Sequence, residues 1–308
     1  MAAVSLRIIC GPTAAGKSAI ALELAERYGG AIVSADSRQI YKGFDIGTAK
    51  PGQPERARVP HYGIDLIEPT ERYSAARWAT NAEGWLQDAR EKSEEPIVVG
   101  GTGLYIKALV EPLFTAPQLD AERRGSLERE LDSRPLADLR RWCRVLDPAR
   151  SHLGRTQLLR AIETALLSGQ RVSDLHSAQR DKGRGAGPRY RPSYLVVDPG
   201  ASLAPRIETR VDVMLENGWQ AEVKTLSRTV PVDAPAWKAS GYSVMRELAA
   251  GDVDLSSARQ RVIIETRQYA KRQRTWLRHQ LPAESVTRVN PDDPALRSVV
   301  REWWEKAE

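Results

Sequence analysis

An α/β fold is predicted, with a parallel sheet flanked by helices and an all-helical insertion, and three observations carry the prediction. Short apolar runs at 5–10, 31–35, 96–100 and 194–198 end in small or polar residues and lead towards segments of helical periodicity. The first run passes through Gly11-Pro12-Thr13-Ala14-Ala15-Gly16 into Lys17-Ser18, the G-x-x-x-x-G-K-[ST] spacing of a phosphate-binding loop. Between about 115 and 192 the apolar runs vanish and charged helical segments replace them. The expected organisation is a P-loop-type core over 1–114, a helical insertion over 115–192, and the rest of the core with basic C-terminal helices over 193–308.

Composition bounds the possibilities. At 308 residues, 41% hydrophobic and 28% charged, the chain has the make-up of a soluble globular protein with a sizeable core. A net charge of +6 points towards a polyanionic partner without deciding it. Cys10 and Cys143 are the only cysteines, too few for a disulfide framework or a cysteine-based zinc site, so a reducing cytoplasm is expected. The N-terminal apolar run is short and carries Arg7, unlike a signal peptide. No stretch is long enough to span a bilayer, and no membrane partner is expected.

Taken in order, 5–10 reads as a buried strand and 17–28 as a helix stopped by Gly29-Gly30. Strand 31–35 ends at Asp36-Ser37-Arg38-Gln39-Ile40-Tyr41. Residues just past a parallel strand face the binding crevice, so Asp36 is expected in the cleft of the phosphate loop; the alternative is a helix N-cap. A loop covers 47–60, and 61–67 suggests a strand. A helix from Ser74 places Trp78, Ala82, Trp85 and Ala89 on one stripe, as core or half-buried groups. Strand 96–100 breaks at Gly100-Gly101-Thr102-Gly103 before helix 104–109, repeating the opening device, with Thr102 either at the mouth of the sheet or a simple cap.

In the insertion, helices are expected near 121–131, 136–146 and 155–167, and the Gly/Arg-rich stretch 177–191 is expected to be mobile. Strand 194–198 precedes a helix over 203–217 that Gly218 ends. On a helix over 259–280, Ile263, Thr266, Ala270, Gln273 and Leu277 share one stripe, and Arg267, Lys271, Arg274 and Arg278 share another. Few acids follow Glu265, so the basic stripe reads as a phosphate-backbone track rather than a solvated face. Residues 286–289 and Trp303-Trp304 carry no functional signal.

A phosphate loop with an aspartate at a neighbouring strand end suits a kinase using ATP, or transfer of an alkyl group from a diphosphate ester. In the first, Asp36 serves an acceptor hydroxyl; in the second, the loop holds the leaving group. Strand 96–100 ends without an acid, which weakens an NTPase reading. A non-catalytic nucleic-acid module leaves the polar strand ends unexplained. Pattern alone ranks kinase and diphosphate-leaving transferase level.

The motifs Gly11–Ser18, Ser34–Tyr41, Asp45-Ile46-Gly47-Thr48-Ala49-Lys50-Pro51 and Gly100–Tyr105 closely resemble those of the tRNA dimethylallyltransferase (isopentenyltransferase) family. So do Arg160-Ala161-Ile162-Glu163, Arg206-Ile207-Glu208-Thr209-Arg210 and Lys271–Arg278, and all occur in family order. The resemblance implies prenyl transfer from dimethylallyl diphosphate to N6 of the adenosine 3′ of the anticodon, in tRNAs reading codons that begin with U. Prenylation of a free adenine nucleotide, known in relatives sharing the loop, is the alternative. It further implies diphosphate binding by Gly11, Thr13, Ala14, Ala15, Gly16, Lys17 and Ser18, with Mg²⁺ at Ser18. Catalytic roles fall to Lys17, Thr102 and Asp36, the last as general base.

By the same resemblance, contacts to the tRNA anticodon stem-loop fall to Asp36, Ser37, Arg38, Gln39, Thr102, Arg124, Gln157, Arg160, Lys271, Arg272, Arg274 and Arg278. A flipped base is expected, and a monomer. Two departures stand out. Leu153-Gly154-Arg155-Thr156 replaces the usual Asn-Asp pair, and Ser240-Gly241-Tyr242-Ser243 replaces Ile/Val-Gly-Tyr-Lys/Arg. The Cys/His zinc finger of many eukaryotic relatives is absent, as in bacterial-type enzymes.

Overall fold

The computed structural model describes residues 3–111, 117, 119–183 and 189–306. The chain forms two compact units, Met1–Glu111 with Arg189–Glu308, and Pro112–Pro188.

The larger unit begins with β1 (Val4–Cys10), α1 (Lys17–Tyr28), β2 (Gly30–Ser34), α2 (Gln53–Arg58), β3 (His61–Tyr62), α3 (Ala75–Glu91), β4 (Glu95–Gly100) and α4 (Gly103–Val110). The smaller contains α5 (Ala121–Asp132), α6 (Leu136–Leu146), α7 (Arg155–Ser168) and α8 (Val172–Gly183). The larger then resumes with β5 (Tyr190–Val197), α9 (Leu203–Glu216), α10 (Trp219–Thr229), α11 (Tyr242–Ala250), α12 (Leu255–Gln280), β6 (Val286–Val289) and α13 (Leu296–Lys306).

The sheet is parallel throughout, in the order β3-β2-β4-β1-β5-β6. Parallel strands need crossovers, and helices on both faces keep them dry, which is why β1, β2 and β4 read as near-continuous apolar runs. One face buries Ile9, Ile32, Ile97 and Leu195 against Ile20, Ala21 and Leu24 of α1 and Val300, Trp303 and Trp304 of α13. On α3, Trp78 is fully buried, stacks on Tyr105 of α4 at 4.8 Å, and donates its indole N–H to Ser34 O at 3.1 Å. Register places Cys10 beside Gly100, and Ser34 beside Val99, so the carboxyl ends of β1, β4 and β2 are level. A second core of Phe44, Trp219, Trp237 and Tyr242 binds α9, α10, α11 and α12 to the segment after β2.

The strand expected over 61–67 shrinks to two residues, because Gly63 and Asp65 adopt positive φ; only an isolated bridge from Ile67 to Tyr41 follows. Tyr190–Pro192, expected in the insertion, pair with Val4–Leu6 as the start of β5. The stretch expected to be mobile is helical through Gly183 as the end of α8; 184–188 lie outside the described residues. The insertion has its own core of Leu131, Leu139, Cys143, Leu158, Ala161 and Ile162. No described helix is long and apolar enough to cross a membrane.

Trp78→Ala removes a fully buried ring and its hydrogen bond, and should lower the unfolding free energy by roughly 3–5 kcal/mol in urea denaturation. A loss below about 1 kcal/mol would show that the α3–sheet contact contributes little.

Candidate active site

The turn after β1 is built for close approach. A Cβ at Gly11 would lie 2.2 Å from Val197 O, and Gly16 holds a left-handed φ of 92° at the N-terminus of α1, which glycine adopts without penalty. No acid occupies the first turn of α1, so its free N–H groups and dipole favour an anion. Lys17 Nζ donates to Pro12 O at 2.7 Å, latched to the loop itself. Burial, then the guanidinium of Arg210, pull the Lys17 ammonium down to about 8; Asp36 and Cys10 oppose them. Cys10 beneath the loop is a buried thiol pushed up to about 12 by desolvation, and so inert.

Asp36 lies past the end of β2 and lines the same cavity as Thr13, Ala14, Lys17 and Ser18, a space of about 110 Å³. It caps no helix: its Oδ1 accepts the Arg38 N–H at 2.8 Å in a local turn, and its side chain also faces a wider cavity. Thr102 stands at the N-terminus of α4 without capping it. Its Oγ1 instead accepts the Ser37 N–H at 3.1 Å and donates to Ser37 Oγ at 3.3 Å, while its own N–H donates to Ala35 O at 3.2 Å. The two strand-end turns are thus tied together. A Cβ at Gly100 would sit 2.1 Å from Ala35 O, so this approach needs glycine.

Three residues given no site role from sequence complete the cleft. Gln273 of α12 accepts the Thr13 N–H at 2.8 Å and donates to Gly101 O at 2.9 Å. Arg210 of α9 lines both cavities and makes no ion pair among the described residues; burial lowers its affinity for a proton, and Asp36 opposes this. Tyr269 of α12 also lines both cavities, and its phenol, hydrogen-bonded to Thr102, is pushed up to about 12 chiefly by burial. Arg210 lay inside the Arg206–Arg210 motif and Gln273 on the buried stripe. What hid them was that their partners are remote in sequence.

The wider cavity, about 660 Å³, is walled by Trp219, Trp237, Met214 and Val262, and carries Arg38, Lys238 and Arg272. Ser240 and Ser243, within the second departure, line it too. Gln39 faces the smaller cavity, but its amide is engaged within the protein. It donates to Thr48 O at 3.3 Å and Ala49 O at 3.0 Å and accepts from Ser34 Oγ at 2.9 Å, so it holds the wall and leaves little for tRNA. Lys50, buried, pins that wall through Tyr41 O and Asp65 Oδ1, both at 2.7 Å.

The basic stripe on α12 is partly neutralised from other elements. Arg274 pairs with Asp198 and donates to Gly200 O at 2.7 Å; Arg267 pairs with Glu208. The expectation of a continuous phosphate track overlooked these acids because they are distant in sequence. Lys271 and Arg278 remain exposed, and Arg272 lies over the Tyr269 ring. In the helical unit, Arg124 contacts Glu128 and the buried Glu163, Gln157 caps α7 through Gly154 N–H, and Arg160 is exposed on the same helix. Arg155, within the first departure, closes the end of α5 by donating to Leu131 O and Arg134 O. The phosphate loop, Asp36, Ser37, Arg38, Thr102 and α12 are therefore brought together in one unit; Arg124, Gln157 and Arg160 belong to the other.

No cluster of three acidic, histidine or cysteine side chains among the described residues would hold a metal alone. Ser18 lines the cavity of the phosphate loop, and its hydroxyl suits Mg²⁺, which takes few protein ligands and completes its shell from phosphate and water.

Two family models match, IPP transferase over residues 39–280 and isopentenyl transferase over 4–60. The tRNA dimethylallyltransferase of Halorhodospira halophila is 43% identical over 280 residues, covering 88% of this chain and 89% of the relative. That of a Cyanothece species is 40% identical over 301 residues and 94% of each chain. Among solved structures, the full-length tRNA isopentenylpyrophosphate transferase of Bacillus halodurans superposes with a TM-score of 0.69 at 30% identity, covering 98% of this chain and 95% of that one. A eukaryotic dimethylallyltransferase acting on tRNA shares the fold, with a TM-score of 0.78 at 22% identity, over 99% of this chain and 80% of its own. With its phosphate loop, strand-end aspartate and parallel sheet in place, the chain belongs to the IPP transferase family.

Proposed function

We propose that this chain transfers the dimethylallyl group of dimethylallyl diphosphate to N6 of the adenosine 3′ of the anticodon in tRNAs reading U-initial codons, releasing diphosphate. The observation that carries the reading is the shared wall of the two cavities: Thr13, Asp36, Thr48, Arg210 and Tyr269 line both. An anion cradle therefore opens, past a carboxylate, into a space wide enough for a base. In the reaction the C1–O bond breaks and its electron pair leaves with diphosphate. The main-chain N–H groups of Ala14 and Gly16–Ser18, Lys17 and Arg210 stabilise that charge. The N6 lone pair closes on C1, and the N6 proton passes to the Asp36 carboxylate, which offsets the low nucleophilicity of a conjugated amine. Thr102, whose hydroxyl binds Ser37 next to Asp36, is the residue assigned to orient the amine. Ser18 would hold Mg²⁺, which when bound adds positive charge beside the departing phosphates. Arg38, Lys238, Arg272, Lys271 and Arg278 are the basic groups of this unit assigned to the RNA backbone.

Labelled dimethylallyl diphosphate offered with tRNA or with AMP, alongside ATP and a hydroxyl acceptor, tests the class. Label in tRNA alone is expected; ADP formation would restore the kinase, and labelled AMP the free-nucleotide reading. Asp36→Ala should lower kcat by roughly 10²–10⁴-fold while tRNA affinity holds, and turnover near the wild-type rate would remove the base role. Binding of tRNA should weaken steeply with salt. Replacing Lys271 and Arg278 by alanine should shallow the log–log slope by about 1.5, and an unchanged slope would take them off the RNA. Lys17 is about half neutral near pH 8 in the free protein, and an anion pulls the proton back on. The contribution of Lys17 to diphosphate affinity should therefore be fully present below pH 8 and be lost above it, by at most about tenfold per pH unit. Titration calorimetry in buffers of differing ionisation heat reads the proton uptake, and its absence at pH 9 would sink the assignment.

A further inference from the structure

We infer that Gln273 is a positioning residue that keeps the leaving-group cradle in register with the acceptor side of the site, directing the allylic carbon to N6 rather than to water. The inference rests on the reaction proposed above. The β1–β4 ladder ends at the pair Cys10 and Gly100. Beyond it, among the described residues, no main-chain hydrogen bond joins the turn 11–16 to 101–103. The Gln273 amide spans that gap, accepting from Thr13 N–H at 2.8 Å and donating to Gly101 O at 2.9 Å. It is only 7% exposed, and a Cβ at Gly101 would fall 2.2 Å from its Nε2, so the fit has no slack.

From Gly101 the connection continues through Thr102, whose hydroxyl and N–H bind Ser37 and Ala35, to Asp36 between them. The helix carrying Gln273 is itself fixed: Arg274 is tied to Asp198 and Gly200 O, and Trp276 lies flat on Gly103, where a Cβ would meet it at 2.2 Å. One side chain thus links the diphosphate cradle directly to the acceptor side, beyond the end of the strand ladder that sets their level. The chemistry makes that offset matter, since an allylic carbon losing diphosphate is captured by the nearest nucleophile. If water bonds to C1, the electron pair still leaves with diphosphate, the water proton goes to solvent, and dimethylallyl alcohol forms. A displacement of about 1 Å costs on the order of 10²-fold in a positioned reaction.

The partition of label between prenylated tRNA and dimethylallyl alcohol measures alignment, because a loss of folded enzyme lowers both products equally. Gln273→Met keeps the shape and loses both bonds. Gln273→Glu keeps an acceptor for Thr13 N–H and loses the donor to Gly101 O. Gln273→Met should transfer roughly 30–100-fold more slowly, hold tRNA within about twofold of wild type, and raise the alcohol fraction at least about tenfold. Gln273→Glu should fall between, and serves alone if the Met variant does not fold. A wild-type partition ratio in whichever variant folds, at any rate of turnover, overturns the inference. Wild-type enzyme that labels no tRNA instead overturns the reading of function on which it rests.

Discussion

The site depends on the parallel pairing of β1 with β4 and of β4 with β2, which brings three carboxyl ends to one level. Open parallel sheets bind ligands at such edges, where helix N-termini and strand-end side chains converge. Here the convergence is enforced by backbone proximity. Gly100 lies where a methyl group would strike Ala35 O, and Gly11 where one would strike Val197 O. The phosphate loop and Asp36 consequently share a crevice, and Thr102 is tied to Ser37 beside Asp36 although it is far from both in sequence. Enlarging either glycine would part the strands that set their spacing.

Around that frame the electrostatics are arranged for a ligand of high negative charge. Lys17 and Arg210 face each other's field in a partly desolvated cleft with Asp36 as the nearby acid, and both hold their protons less firmly for it. In the proposed reaction a bound diphosphate relieves this repulsion, and because the donors are already fixed, little reorganisation accompanies the charge that develops on it. The helix α12 plays a double part. Its buried face, through Gln273 and Tyr269, lines the chemistry, while its outer face keeps Lys271 and Arg278 in solvent.

Much of this was legible in the chain before folding. Helix periodicity and glycine stops located α1, α3, α7 and α9 closely, since both are local properties of backbone and side chain. The phosphate loop and Asp36 were legible because their geometry follows from a strand, a turn and a helix in succession. Less legible were the partners of Gln39 and Arg274, which the resemblance assigned to RNA and which bind Thr48, Ala49 and Asp198 within the protein. The strand expected over 61–67 failed on the positive φ of Gly63 and Asp65, which pattern alone does not reveal.

The sequence by itself determined the alternation of strands and helices, the anion-binding turn and the family, all of which are written in short contiguous runs. Only the tertiary structure decided which charges are free. Among the described residues Arg210 has no ion-pair partner, whereas Arg267 has Glu208 of α9. It also decided that Gln273, one polar residue on an otherwise buried stripe, should span two turns from which it is 260 and 172 residues distant. Local preferences act over a few residues, whereas satisfying a buried amide requires the donor and acceptor that packing brings to it.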